Sequence, residues 1–272
     1  MFKTWHIFEK WIPPVITPIY NLDWNTFDKL ISYHEAIVNT KYDILLPLLD
    51  SWNGLLSKLD YDPTYTDWSE FRPLRLTREE DWSDWLAHLI ASSKTGVFAK
   101  SIFYSSLRKV ADYAFPKKVH REISHEGYRA DLIVDWEGDF HTHIEVKVGD
   151  TNLGKTYSTS KALRQRLKGP SNEWEDYILL LASQQSDWAR VVVVDQRART
   201  IKPITWLELC IALRRGLISD EPVTWKAWAY AFVGAIEQHL IGFPGHAIKE
   251  ERPFENLDAK IEILRKGLEN ES

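Results

Sequence analysis

RADLIVDWEGDFHTHIEVK, residues 129–147, is the stretch that decides how this chain is read. It reads as two strands, residues 128–136 and 140–148, with Glu137, Gly138 and Asp139 marking the turn between them. Side chains alternate along a strand, so Glu145 and Lys147 project from one face while Val146 turns into packing. A turn this short pairs the strands antiparallel, which sets Asp131 across from Glu145 and Lys147 on the same side of the sheet. Two carboxylates and one ammonium converge.

Upstream, residues 119–125 read as another strand, joined to the next by a turn at Glu126 and Gly127. Before it, Thr77 is a natural N-cap with Glu80 three residues on, the spacing of a capping box. Trp82, Trp85, Leu86, Leu89 and Ile90 then give one apolar helical face, and a further helix is expected over residues 94–115. Downstream, a basic helix fits residues 158–168 and ends at Gly169 and Pro170. Continuous apolar runs at residues 177–182 and 190–195 suggest two buried strands. Helices close the chain at 206–215 and 223–241, followed by a charged helical tail. This order predicts an α/β domain, a mixed sheet flanked by helices.

The first 60 residues read as aromatic-rich helices: one before Pro13 and Pro14, then residues 24–39 and 44–58. Residues 60–73, with Pro63 and Pro73, read as a connector. The chain is therefore divided into a helical segment 1–73, a core 74–250 with C-terminal helices, and a tail 251–272.

The chain has 272 residues, 44% hydrophobic and 27% charged, enough for a sizeable core. Its single cysteine, Cys210, excludes an internal disulfide framework and a Cys-rich zinc site. Set among Leu207, Leu209, Ile211 and Leu213, it reads as a small hydrophobe. No secretory signal opens the sequence, and the apolar stretch 224–243 is interrupted by Lys226, Glu237, Gln238 and His239, so a cytoplasmic protein without a membrane partner is expected. The net charge of −5 does not advertise a nucleic-acid binder. Basic residues nevertheless gather on either side of residues 129–147, among them Lys155, Lys161, Arg164, Arg166 and Lys168, which permits phosphate contact. Most of the 13 tryptophans, including the group at residues 225–230, read as core or interface packing.

Converging carboxylates have a clear chemical use. Hard divalent cations such as Mg²⁺ bind carboxylate oxygens and retain several waters. A cation held by Asp131 and Glu145, with the Val146 carbonyl as a further ligand, would polarise a phosphodiester and stabilise its leaving oxygen. Lys147 would orient the attacking water or neutralise charge at phosphorus.

On these residues the chain resembles the PD-(D/E)XK nuclease superfamily, whose pattern is an acid on one strand and D/E-x-K on the next. Asp131 and Glu145-Val146-Lys147 supply it, with Ala130 where the usual proline stands. The resemblance covers residues 76–204 and implies a restriction-endonuclease-like core with an added N-terminal helical segment. It also implies a helix-borne acid, Glu80 or in second place Glu79, as metal ligand, and Gln165 or Lys161 completing the site. The implied activity is Mg²⁺-dependent (Mn²⁺ also serving) endonucleolytic hydrolysis of DNA. Lys155, Lys161 and Arg129 would contact the nucleic acid. The setting it implies is bacterial antiviral defence or restriction, as a homodimer or with a partner protein of a defence system.

Other readings compete at each residue. Glu145, Lys147 and Asp131 could form an ordinary exposed ion pair with an edge charge, worth about 0–1 kcal/mol. Glu80 could serve only as a cap, and His141 and His143, which share a face with Glu145, as ordinary strand residues or metal ligands. At the level of function the alternatives are RNA cleavage by the same residues, or a non-catalytic nucleic-acid-binding or assembly module that keeps the fold.

Overall fold

Strand β2 (Tyr128–Trp136) pairs antiparallel with β1 (Pro116–His125) on one side and with β3 (Phe140–Val146) on the other. The computed structural model describes residues 24–59, 61–66, 76, 78–103, 115–137, 140–149, 155–167, 173–243 and 256–269. The β1–β2 turn places Glu126 and Gly127 both at positive φ, 50° and 80°, the mirror-image turn whose twist matches its strands. β3 then runs parallel to β4 (Glu173–Leu180), and β4 parallel to β5 (Ile201–Thr205), giving the order β1-β2-β3-β4-β5. Parallel neighbours need crossovers, and α4 (Lys155–Leu167) and α5 (Gln185–Val194) provide them.

Before the sheet come α1 (Trp24–Leu56), α2 (Glu79–Ser92) and α3 (Val97–Phe103); after it come α6 (Trp206–Ile218), α7 (Val223–His239) and α8 (Leu257–Leu268). Strand alternation divides the helices between two faces. On one, Ile133 meets Leu163 of α4, while Ile178 and Leu180 meet Tyr157 of α4 and Trp188 of α5. On the other, Phe103 of α3 packs edge-on against Trp136 and Tyr177, and Trp136 donates to Thr142 Oγ1 at 2.8 Å. Trp82 of α2, Trp206 of α6 and Phe232 of α7 form a connected aromatic set. Trp225 lies so close over Gly216 that a Cβ there would come within 2.4 Å of its ring, so only glycine fits. Trp52, Trp82, Trp136, Trp206 and Trp225 are all fully buried, as core packing predicts, while Trp228 is exposed.

Two sequence expectations are corrected. Residues 190–194 are the second half of helix α5, not a strand. A run of four valines cannot all face the core of a helix: Val191 and Val192 pack inward with Trp188, whereas Val193 and Val194 are 74% and 87% exposed. The strand in question is β5, disguised by Pro203; as the last strand in the order it is an edge, where a missing N–H is tolerated. Residues 24–56 form one helix rather than two. No glycine or proline interrupts residues 39–44, and the helix continues through Pro47 at the loss of one backbone bond. The helix expected over 94–115 is described over Val97–Phe103 only, and Phe115 is non-helical. The helix expected before Pro13 lies outside the described residues.

The chain divides into two compact units, Met1–Ile44 and Leu45–Ser272. Of the first, the described part is the leading portion of α1. Within the second, Leu45, Leu49, Trp52 and Leu56 recur at helical spacing and are buried, and Trp52 Nε1 donates to Leu264 O of α8 at 3.0 Å. In the same unit Arg214 of α6 and Lys260 of α8, both fully buried, are shared between Asp62 and Glu237. Asp62 belongs to a stretch read from sequence as a connector; the structure buries it beneath a short 3₁₀ turn, Pro63–Tyr65. Cys210 is buried, and burial pushes its thiol well above the ordinary value, as suits a core residue. Among the described residues, no helix is long and apolar enough to cross a membrane.

Candidate functional site

Asp131 and Glu145 stand on neighbouring strands where the β2–β3 ladder stops. Leu132 and Ile144 form its last pair. The next amide, Val146 N–H, donates to the side chain of Asp131 (Oδ2, 2.8 Å). The Asp131 carboxylate thus takes the place of a ladder carbonyl and is fixed against the strand that carries Glu145.

On β3, alternation puts Glu145 and Lys147 on one face, with Lys147 Nζ 3.0 Å from Glu145 Oε1, while the Val146 side chain is fully buried on the other. Lys147 is anchored through its backbone: its N–H donates to Leu179 O at 2.9 Å, and its carbonyl accepts from Trp206 Nε1 at 3.0 Å.

Helix α2 supplies a third carboxylate, and it is Glu79. Its Oε2 lies 3.5 Å from Lys147 Nζ, and its Oε1 accepts from Val148 N–H at 2.8 Å. Glu80, the first choice from sequence, instead meets Arg129 at 3.3 Å on the rim. The start of the helix explains the exchange. Its N-cap is Arg78, whose N–H donates to Asp81 Oδ2 at 3.0 Å, so the reach-back role of the capping box falls to Asp81 rather than Glu80. Thr77, the expected N-cap, lies outside the described residues. Further along, α4 presents Lys155, Lys161 and Gln165 to solvent, and turns Thr156, Thr159, Ser160 and Leu163 inward. The structure therefore gathers Asp131, Glu145, Lys147 and Glu79, and leaves Glu80, Arg129, Gln165, Lys155 and Lys161 at its surface.

His143, two residues before Glu145, is fully buried on the same face. Its Nδ1 lies 3.1 Å from Asp176 Oδ1, and its Nε2 lies 3.8 Å from Glu145 Oε2. Asp176 also accepts from Trp174 Nε1 at 2.7 Å and pairs with Arg164 of α4. Asp176 escaped the sequence reading. Register places it there: on a parallel neighbour of β3, an acid opposite His143 shares its face. His141 turns to Asp135 at 2.7 Å, which also meets His120 at 2.7 Å, at the far end of the strand.

Electrostatics divides these acids. Burial raises Asp131, Glu145 beside it raises it further, and the Val146 amide with Lys147 only partly compensates, leaving its carboxyl at about 6. Burial works against the charge of Lys147, but Glu145, Glu79 and Asp131 outweigh it and hold the ammonium above its ordinary value. Burial also works against Asp176, yet hydrogen bonds from His143 and Ser160 and the charge of Arg164 keep it at about 2. Lys147 is thus a fixed positive charge rather than a proton acceptor, and Asp131 is a carboxylate whose burial beside Glu145 outweighs its positive neighbours. Two of these acids can bind a hard divalent cation whose remaining positions go to water and substrate oxygens. Among the described residues, no three of His, Cys, Asp and Glu already form a metal-binding group. Comparison with protein-family models, with curated proteins and with solved structures finds no match to this chain.

Proposed function

We propose that this chain is a metal-dependent nuclease of restriction-endonuclease-like architecture, hydrolysing phosphodiester bonds in nucleic acid, with DNA the substrate most expected. The observation that carries this reading is the imbalance of charge at the end of β3: three carboxylates, Glu79, Asp131 and Glu145, around one ammonium, Lys147. The element order supports it as well: a helix, three antiparallel strands, a crossover helix and a parallel strand, with the acids on the second and third strands.

A divalent cation fits this donor set, because Glu145 Oε2 is buried without a hydrogen-bond partner among the described residues and the positive neighbours of Asp131 do not offset its burial beside Glu145. Asp131 and Glu145 would hold Mg²⁺, with the Val146 carbonyl as a further ligand. The bound ion supplies Lewis acidity toward a phosphodiester oxygen. Lys147, kept protonated by its acids, offsets the negative charge that gathers on phosphorus and orients water by donating to it. Glu79 holds Lys147 in place and ties α2 to the end of β3 through Val148 N–H. Arg129, Lys155 and Lys161, all at the surface, are available to phosphates along the strand.

The test incubates purified full-length protein with plasmid, single-stranded DNA and RNA, each with Mg²⁺, Mn²⁺ or EDTA. Metal-dependent cutting that Glu145→Gln and Lys147→Met each lower by about 100-fold or more is expected. A folded protein that binds nucleic acid but cuts none of the three substrates would assign the fold to binding alone.

A further inference from the structure

The buried side of the site contains two polar atoms without a hydrogen-bond partner among the described residues, His143 Nε2 and Glu145 Oε2. They face each other at 3.8 Å, too far for a hydrogen bond. Both belong to buried side chains, where an unsatisfied polar atom costs about 1–3 kcal/mol.

The other ring nitrogen decides what Nε2 can do. Nδ1 faces Asp176 Oδ1 at 3.1 Å, and the same carboxylate accepts from Trp174 and Arg164. A carboxylate surrounded by donors is an acceptor, so Nδ1 carries the hydrogen and, in the neutral ring, Nε2 carries a lone pair. Glu145 Oε2 opposite is also an acceptor. With the ring neutral, two lone pairs face each other, and the pair is completed either by a proton on Nε2, which makes it an ion pair, or by a cation bound between the two atoms. The spacing suits an ion, since donor atoms bound at about 2.0–2.2 Å to one metal stand up to about 4.2 Å apart. A carboxylate behind Nδ1 is also the partner that fixes the tautomer and raises the basicity of a ligating histidine.

We propose that His143 is a nitrogen ligand, through Nε2, of the cation that Glu145 binds through Oε2, and that the site therefore prefers a first-row transition ion such as Mn²⁺ to Mg²⁺. The inference rests on the nuclease reading for the cation itself and adds its chemical class. Carboxylate oxygens alone suit Mg²⁺ and Mn²⁺ alike, whereas an imidazole ligand favours first-row transition ions over Mg²⁺, Mn²⁺ the least of them and the ions later in the row more strongly.

The test uses the full chain stripped with chelator, titrated by calorimetry with Mn²⁺ and with Mg²⁺, and pulsed electron paramagnetic resonance of the Mn²⁺-loaded protein. Wild type is expected to bind Mn²⁺ at least about tenfold more tightly than Mg²⁺ and to show nitrogen coupling from a bound imidazole. His143→Asn keeps a donor toward Asp176 but removes Nε2. It is expected to lose the nitrogen coupling and about 10–100-fold of Mn²⁺ affinity, while Mg²⁺ binding changes far less. Should His143→Asn fail to fold, His143→Gln and the wild-type spectrum decide. Mn²⁺ binding without nitrogen coupling in wild type overturns the role of His143 and leaves the nuclease reading standing. Failure of wild type to bind either ion overturns both.

Discussion

Arg214 and Lys260 are shared between Asp62 and Glu237 among α6, α7 and α8; at the end of β3, Lys147 is shared among Glu79, Asp131 and Glu145. Both are groups of buried or half-buried charge within the larger unit. In the first, two acids meet two bases and every carboxylate oxygen is bonded: Asp62 by Arg214, Lys260 and Thr64, Glu237 by Arg214 and Lys260. In the second, acids outnumber bases, one carboxylate oxygen and one imidazole nitrogen have no partner among the described residues, and Asp131 is driven toward its neutral form. Buried charge is costly unless paired and hydrogen-bonded. A closed set meets that cost within the chain and serves the scaffold. An open set concentrates acceptors at a point where a cation would complete them. Charge balance, more than burial or the number of ion pairs, separates the two.

Breaking the closed set should produce the largest change. Lys260→Met leaves Asp62 and Glu237 facing Arg214 alone, and removing one partner from a buried ion network costs about 3–5 kcal/mol. Urea unfolding of the variant is expected to show that loss. Adding Glu237→Leu restores a balanced Arg214–Asp62 pair and should recover part of it, so that the two substitutions are not additive. A loss below about 1 kcal/mol for Lys260→Met would mean that the network does not hold α8 to the core.

The open set should answer in the opposite direction. Burial and Glu145 raise Asp131 from 3.8 to about 6 in the folded chain, so the folded state binds the proton more tightly than the unfolded state. Stability therefore falls as pH rises from about 4 to 6, and at pH 7 the ionised Asp131 is a liability of about 1–3 kcal/mol. Asp131→Asn keeps an acceptor for Val146 N–H and removes the charge. In EDTA it is expected to stabilise the protein by that amount at pH 7 and to make little difference at pH 4. Asp62 has the reverse sign. Burial opposes its charge, but Arg214 and Lys260 outweigh it and hold it well below the usual carboxylate range. Its contribution is present above the unfolded carboxylate pKa and is lost as pH falls through acid. The difference between wild-type and Asp131→Asn unfolding curves across pH 3 to 8 measures the Asp131 slope.

The same contrast explains what could be read from the sequence. Residues 129–147 carry local information, strand alternation around a short turn, and alternation is enough to bring Asp131, Glu145 and Lys147 to one face. Asp176 and His143 meet through β3–β4 register, which depends on a crossover of 26 residues (147–172) and leaves no local trace. The closed set is more distant still: Asp62 and Lys260 are separated by 198 positions, in stretches that read as a connector and a charged tail. Polar residues in such stretches look solvated until tertiary packing surrounds them. The four valines at 191–194 failed for another reason. A continuous apolar run is common to a buried strand and a helix, and here the packing follows the helical spacing of Trp188, Val191 and Val192.

The finest comparison lies between two adjacent acids at the start of α2. Glu79 accepts from Val148 N–H at 2.8 Å and meets Lys147 at 3.5 Å. Glu79→Gln retains an acceptor but removes a charge from Lys147, and should cost about 0.5–1.5 kcal/mol. Glu80, one residue on, meets Arg129 at 3.3 Å with the two side chains 36% and 50% exposed. Solvent screens such a pair and both side chains lose freedom in forming it, so Glu80→Gln should change stability by less than about 0.5 kcal/mol. Measured side by side at low ionic strength and in 0.5 M salt, the Glu79 effect should persist while the small Glu80 effect shrinks toward zero. Equal costs for the two would mean that the helix presents both acids to the sheet, and that Glu80 shares with Glu79 the place beside Lys147.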